Sequence, residues 1–114
     1  MPQVRDLDPA LAPAVAYLLR VAEYNGLRVA LTSTRRTRLQ QQGLYQRYLQ
    51  CQRAGSRQCL PAAPPGTSDH ERGLAFDLVV NGDYRGGAQR ALGLFWQSMG
   101  GRWAGDADPV HFSV

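Results

Sequence analysis

At 114 residues the chain is the length of a single domain, 1–114, enough for one core and no more. Its 44% hydrophobic and 19% charged residues are those of an ordinary soluble globule, which excludes a disordered or fibrous chain, and no segment is long or apolar enough to span a membrane. The net charge is +4 and all thirteen basic residues are Arg; that suits an anionic partner such as cell wall, membrane surface or nucleic acid, or is simply a soluble basic surface.

The opening Met-Pro-Gln-Val-Arg-Asp leads into an amphipathic stretch and not into a signal-peptide core, so synthesis in the cytoplasm without a leader of its own is expected, or else the chain is a trimmed domain. Asp8-Pro9 reads as a helix start, a capping side chain followed by Pro at the first helical position. Leu11, Val15, Leu18, Leu19 and Ala22 recur at helical spacing, and Asn25-Gly26 is a stop. Leu27 to Ser33 reads as a strand with Leu27, Val29 and Leu31 on one face. A second helix runs from about Thr37 to Ala54 with Leu39, Leu44, Tyr48 and Cys51 near one face. Residues 55 to 69 are rich in Pro, Gly and Ser and read as a loop. Leu74 to Val80 is a short apolar strand interrupted by Asp77, and Asn81-Gly82-Asp83 is a turn. Arg85 to Met99 reads as a third helix with Ala88, Leu92, Phe95 and Met99 inward; Gly100-Gly101 ends it, and Val110 to Val114 is a last strand. The order implies an α+β fold with a small, mainly antiparallel sheet and flanking helices.

Cys51 and Cys59 do not form a CxxC pair, so a structural zinc knuckle is not indicated. Two free thiols in a reducing cytosol are one reading. The intervening Gln-Arg-Ala-Gly-Ser-Arg-Gln looks like a turn that brings the two together, which inclines the reading to a disulfide.

The only two histidines are His70, just before the strand that holds Asp77, and His111, in the last strand. A carboxylate inside Leu-Ala-Phe-Asp-Leu-Val-Val is costly to bury unless an ion pair or a metal neutralises it. Taken singly, Asp77 could pair with an Arg and each His could be an ordinary core or surface imidazole. If the two strands are neighbours, His70, Asp77 and His111 converge, and two imidazoles with one carboxylate make a catalytic zinc site with an open position. Asp108, three residues before His111 and stiffened by Pro109, stands where a general base is needed; Asp106 is its rival by proximity.

Ser68-Asp69-His70-Glu71-Arg72-Gly73-Leu74-Ala75-Phe76-Asp77 fits the pattern S-x-H-x-x-G-x-A-x-D. With this pattern the chain resembles the zinc D-alanyl-D-alanine carboxypeptidase and L-alanyl-D-glutamate endopeptidase family, which shares its fold with hedgehog-type domains. Five fixed positions match by chance about once in three million windows. Pro65-Gly66-Thr67 resembles the family's lead-in. Ser33-Thr34-Arg35-Arg36-Thr37 with Gln41 and Leu44-Tyr45 resembles its upstream block, and Gly100-Gly101-Arg102-Trp103 with Asp108 and His111-Phe112 its closing block.

The resemblance implies one zinc per chain on His70, Asp77 and His111, with Asp108 as the catalytic base. It implies that Arg36 holds a substrate carboxylate or the developing oxyanion, for which the planar guanidinium fork is suited. Ser68 and Gln41 would support the substrate or the ligands, with Ser68 equally able to be a loop cap. Carboxypeptidases of the family usually carry Glu in a Glu-Pro-Trp-His context where this chain has Asp108. The phage endolysins that cut the L-alanyl-D-glutamate bond carry Asp. The expectation is therefore a monomeric endopeptidase acting on the peptidoglycan stem peptide at the cell wall, as a phage lysis or virion-associated enzyme. The alternatives are a D-alanyl-D-alanine carboxypeptidase or a non-catalytic zinc-binding module of the same fold. No helix has a clean Arg stripe and no nucleic-acid motif is present, so a nucleic-acid partner is not expected.

Overall fold

The computed structural model describes all residues, 1–114. Three helices, α1 (Ala12–Tyr24), α2 (Arg38–Arg53) and α3 (Gly87–Ser98), flank four strands, β1 (Val29–Ser33), β2 (Ala75–Val80), β3 (Arg102–Trp103) and β4 (His111–Ser113). The strands form one sheet in the order β1-β2-β4-β3, with every neighbouring pair antiparallel. The architecture is α+β, as the sequence implied.

Alternation along β2 divides the sheet's two faces. Phe76, Leu78 and Val80 enter the core with Leu7, Leu11, Val15, Leu18 and Ala22 from the N-terminal region and α1, Leu92 and Trp96 from α3, and Phe112 from β4. Side chains of this size stabilise the fold by about 1.5–3 kcal/mol each when fully buried. Asp77 lies on the opposite face, and the register sets it directly across from His111 on β4 and from Ser33 on β1. A one-residue slip of β2 would send Asp77 into the core, so the hydrophobic pattern fixes the site.

Four details differ from the sequence expectation. Regular α1 begins at Ala12, with Pro13 in its first turn; Asp8 instead closes a turn ahead of it, its Oδ1 accepting from Ala10 N at 2.9 Å. The N–H of Asp8 donates to the Gly73 carbonyl at 2.9 Å, which ties this turn to the motif loop. Helix α2 is capped by Thr37 as its sequence suggests, but Leu39 is 77% exposed and the one residue the helix buries is Gln41. Met99 lies outside, because the buried face of α3 is set by Gln89, Leu92, Gly93 and Trp96. Strand β3 was not anticipated: two residues carry no alternation that a sequence can display, and Trp103 is there because its indole packs against Gly93, where any Cβ would collide with it.

Gly73, inside the motif, is required twice over. Its φ is +71°, and a Cβ there would press on the backbone of Leu7 and Asp8. Gly73→Ala should therefore destabilise the protein by at least about 1–2 kcal/mol, read as a lowered midpoint in urea.

Cys51 and Cys59 are joined in a disulfide with Cα atoms 5.6 Å apart, linking the end of α2 to the loop that follows. On chain entropy alone this short loop contributes about 2.5 kcal/mol. Reduction is expected to lower Tm by roughly 5–10 °C. Mass analysis without reductant should show two hydrogens missing; two freely titrating thiols in the native, air-exposed protein would contradict the bridge.

Candidate metal centre

His70 sits in a 3-10 turn, Asp69–Arg72, that Ser68 caps by accepting from His70 N at 3.2 Å. Ser68 is buried and its hydroxyl serves the loop. The His70 carbonyl accepts from Arg36 N at 3.0 Å and from Gly73 N at 3.2 Å, so the turn is pinned to the chain leaving β1. The ring is 2% exposed, with Nδ1 2.8 Å from the Thr34 carbonyl and Nε2 3.2 Å from Asp77 Oδ1. A carbonyl only accepts, so Nδ1 carries the proton and, in the neutral ring, Nε2 presents a bare lone pair to a carboxylate oxygen.

His111 approaches from the other side, its Nδ1 3.5 Å from the same Oδ1, and the two imidazole rings lie 5.2 Å apart between centroids. One donor atom from each of His70, Asp77 and His111 falls within 4.8 Å of the others. Two imidazole nitrogens, one of them the bare Nε2 of His70, face one anionic oxygen, an arrangement satisfied either by a proton on a ring or by a cation among them. The donor set, two nitrogens and one carboxylate, is that of a catalytic zinc site with a vacant coordination position.

Asp77 is held from behind by Arg36. The guanidinium donates through Nη2 to Asp77 Oδ2 at 2.8 Å, through Nε to Ser33 Oγ at 2.9 Å, and through Nη1 to Gln41 Oε1 at 3.2 Å. Gln41 in turn donates to the Ala63 carbonyl at 2.9 Å. The ion-pair reading of Asp77 and the metal reading thus coincide, since one oxygen meets Arg36 and the other meets the imidazoles. Burial alone would raise the Asp77 carboxyl, yet hydrogen bonds from the imidazoles of His111 and His70 when those rings carry the proton, with the charge of Arg36, hold it well below the usual carboxylate range. His111 is raised above 6.5, chiefly by its hydrogen bond to Asp77.

Asp108 lines the same cleft as the three donors without joining their cluster. Its carboxyl is raised, first by burial and then by the charge of Asp77. Pattern reading did not reveal what fixes it. The Pro109 carbonyl accepts from Gln89 Nε2 at 2.9 Å and from Trp103 Nε1 at 2.7 Å, while Leu78 N donates to Val110 O at 3.0 Å. Gln89 also accepts from Val80 N and donates to Leu78 O, standing in for strand pairing beyond the end of β4. A Gln on a helix face dominated by Leu and Trp is the one signal that was available. Asp106 is elsewhere, exposed and paired with Arg90.

The cleft has a volume of about 780 Å³. Leu44, Tyr48 and Cys51 of α2 form one wall with the segment after Cys59, and the donor cluster with Asp108 lies in the same cleft.

A family model described as D-alanyl-D-alanine carboxypeptidase, VanY, matches residues 4–91. The chain belongs to this family. The matched span holds Arg36, His70 and Asp77, and β4 brings His111 to them from beyond it. Two solved structures of VanY proteins share the fold. The vancomycin-resistance D,D-pentapeptidase VanY of a VanB-type cassette, a mutant in complex with Zn(II), aligns with TM-score 0.63 and 21% identity over 94% of this chain and 71% of its own. VanYB in complex with D-alanine-D-alanine aligns with TM-score 0.64 and 22% identity over 94% and 70%. A comparison with curated proteins finds no match.

Proposed function

We propose that this VanY-family chain is a zinc peptidase that hydrolyses a peptide bond in the stem peptide of bacterial peptidoglycan, with His70, Asp77 and His111 as metal ligands and Asp108 as general base. The observation that carries the proposal is the convergence of two imidazole nitrogens on one carboxylate oxygen beside a second carboxylate, Asp108, outside their cluster. A zinc ion in such a site supplies Lewis acidity, polarising a carbonyl and lowering the pKa of water to about 7. The chain's own residues do the remainder. Thr34 holds the His70 tautomer, and Arg36 fixes and neutralises Asp77. Asp108, made more basic by burial, takes the proton of the attacking water and returns it to the leaving amine.

The preferred bond is L-alanyl-D-glutamate, on the ground that Asp108 occupies the position where carboxypeptidases of the family usually carry Glu. The second reading, D-alanyl-D-alanine carboxypeptidase, is favoured by the description of the matched family. Mass spectrometry of digested peptidoglycan decides between them. New N-terminal D-glutamate supports the first, released D-alanine the second, and an undigested wall with zinc in place would overturn both.

Metal affinity should fall on acidification earlier than ordinary histidine ligands would require. Zinc needs the neutral imidazole, and Asp77 raises the proton affinity of His111. In the metal-free protein that pair stabilises the fold below pH 6.5, and the stabilisation is lost as pH rises through the raised value. The zinc association constant, measured against a chromophoric chelator, should therefore begin to drop at a pH above 6.5, by about tenfold per unit. A constant that stays flat down to pH 6 would contradict this.

A further inference from the structure

The cleft contains two arginines, and only one is free. Arg36 directs three of its five N–H donors at Ser33, Gln41 and Asp77, and its charge is matched by Asp77. Arg47 also lines the cleft, is exposed, and takes part in no ion pair or hydrogen bond. It also lines the adjoining depression of about 660 Å³, so it stands where the two meet. Along α2 it lies six residues beyond Gln41, the residue that touches Arg36, which is about 9 Å of helix. An extended peptide covers that distance in two to three residues.

Resting on the peptidase reading above, we propose that Arg47 is a specificity residue that binds a free carboxylate carried on the second residue from the cleaved bond. In a stem peptide whose third residue is a diamino diacid, the side-chain carboxylate of that residue is two residues from the L-alanyl-D-glutamate bond. From the D-alanyl-D-alanine bond it is two residues in the opposite direction along the peptide, so a single placement of Arg47 serves only one of the two cuts. Diaminopimelate walls are thus the substrate class, and walls with lysine or amidated diaminopimelate at that place are the poorer one.

The test uses the zinc-loaded protein and the dipeptide γ-D-glutamyl-meso-diaminopimelate, which contains neither candidate bond, with its side-chain carboxylate free or amidated. Calorimetry should show the free form bound about 10- to 100-fold more tightly, a preference abolished in Arg47→Gln and partly kept in Arg47→Lys. Zinc content and Tm of both variants should equal those of the wild type. On the full stem pentapeptide with free carboxylates, Arg47→Gln should raise KM and leave kcat within about twofold. Equal binding of the two dipeptides, or an unaltered preference in Arg47→Gln, overturns the assignment even if the pentapeptide is cut. A pentapeptide left intact by the wild type overturns the peptidase reading itself.

Discussion

Asp108→Ala is expected to fold, to hold zinc as the wild type does, and to cleave its substrate about 10²- to 10⁴-fold more slowly. The expectation rests on position. Asp108 shares the cleft with the ligand cluster but is not one of its donors, so its loss leaves two imidazoles and a carboxylate in place. Its segment is held through main-chain atoms, by Gln89 and Trp103 at the Pro109 carbonyl and by Leu78 at Val110, so truncating the side chain does not release the loop. Asp108→Glu keeps the carboxylate one methylene further out and should retain zinc with partial activity. Asp106→Ala should be nearly silent in turnover, since Asp106 pairs with Arg90 at the surface, where an ion pair is worth about 1 kcal/mol or less. Zinc analysis with kcat on the three variants decides. Loss of zinc in Asp108→Ala would make Asp108 a ligand, and inactivity confined to Asp106→Ala would move the base by two residues.

The largest combined effect is expected at His70, where His70→Ala should abolish both zinc binding and activity and lower Tm further than chelation does. The two parts are separable. At a free zinc level 1,000-fold above Kd, the metal adds about 4 kcal/mol to the stability of the native state, roughly 15 °C for a chain of this size. Chelator added to the wild type should remove that part alone. His70→Ala should then go lower than the chelated wild type, because the ring is 2% exposed and its removal leaves a cavity and an unpartnered Thr34 carbonyl. A wild-type Tm indifferent to chelator, or a His70→Ala protein that still binds zinc, would end the metal assignment.

Most of what reached the site from sequence alone did so through local rules. Thr37 caps α2, Gly26 with φ +76° stops the chain after α1, and the alternation in Ala75–Val80 places Asp77 away from Phe76 and Leu78. Two histidines and one misplaced carboxylate were legible as candidates because few residue types ligate a metal. Arg36 was singled out from sequence for a substrate carboxylate or the oxyanion, whereas its pairing with Asp77 joins residues 41 apart in sequence and could not be read from spacing. Gln41 is similar: its burial follows from Arg36 on one side and the Ala63 carbonyl on the other, neither visible in helical periodicity. The misplaced Leu39 and Met99 share a cause. Both fit a 3.6-residue stripe, but a stripe gives phase without saying how much of a helix the sheet covers.

The strand order makes the site depend on the end of the sheet. Strand β4 comes last in the chain yet sits inside the sheet, between β2 and β3, and it carries His111. Until it inserts, β2 has a partner on one side only and the ligand set lacks a member. Its pairing with β3 is local, Trp103 against Phe112, whereas its pairing with β2 joins Asp77 to His111 from well apart in the chain. Completion of the sheet and convergence of the three donors are therefore one structural step. A form clipped ahead of β4 would lack both His111 and the second partner of β2, so loss of this one short strand would undo the sheet and the donor cluster together.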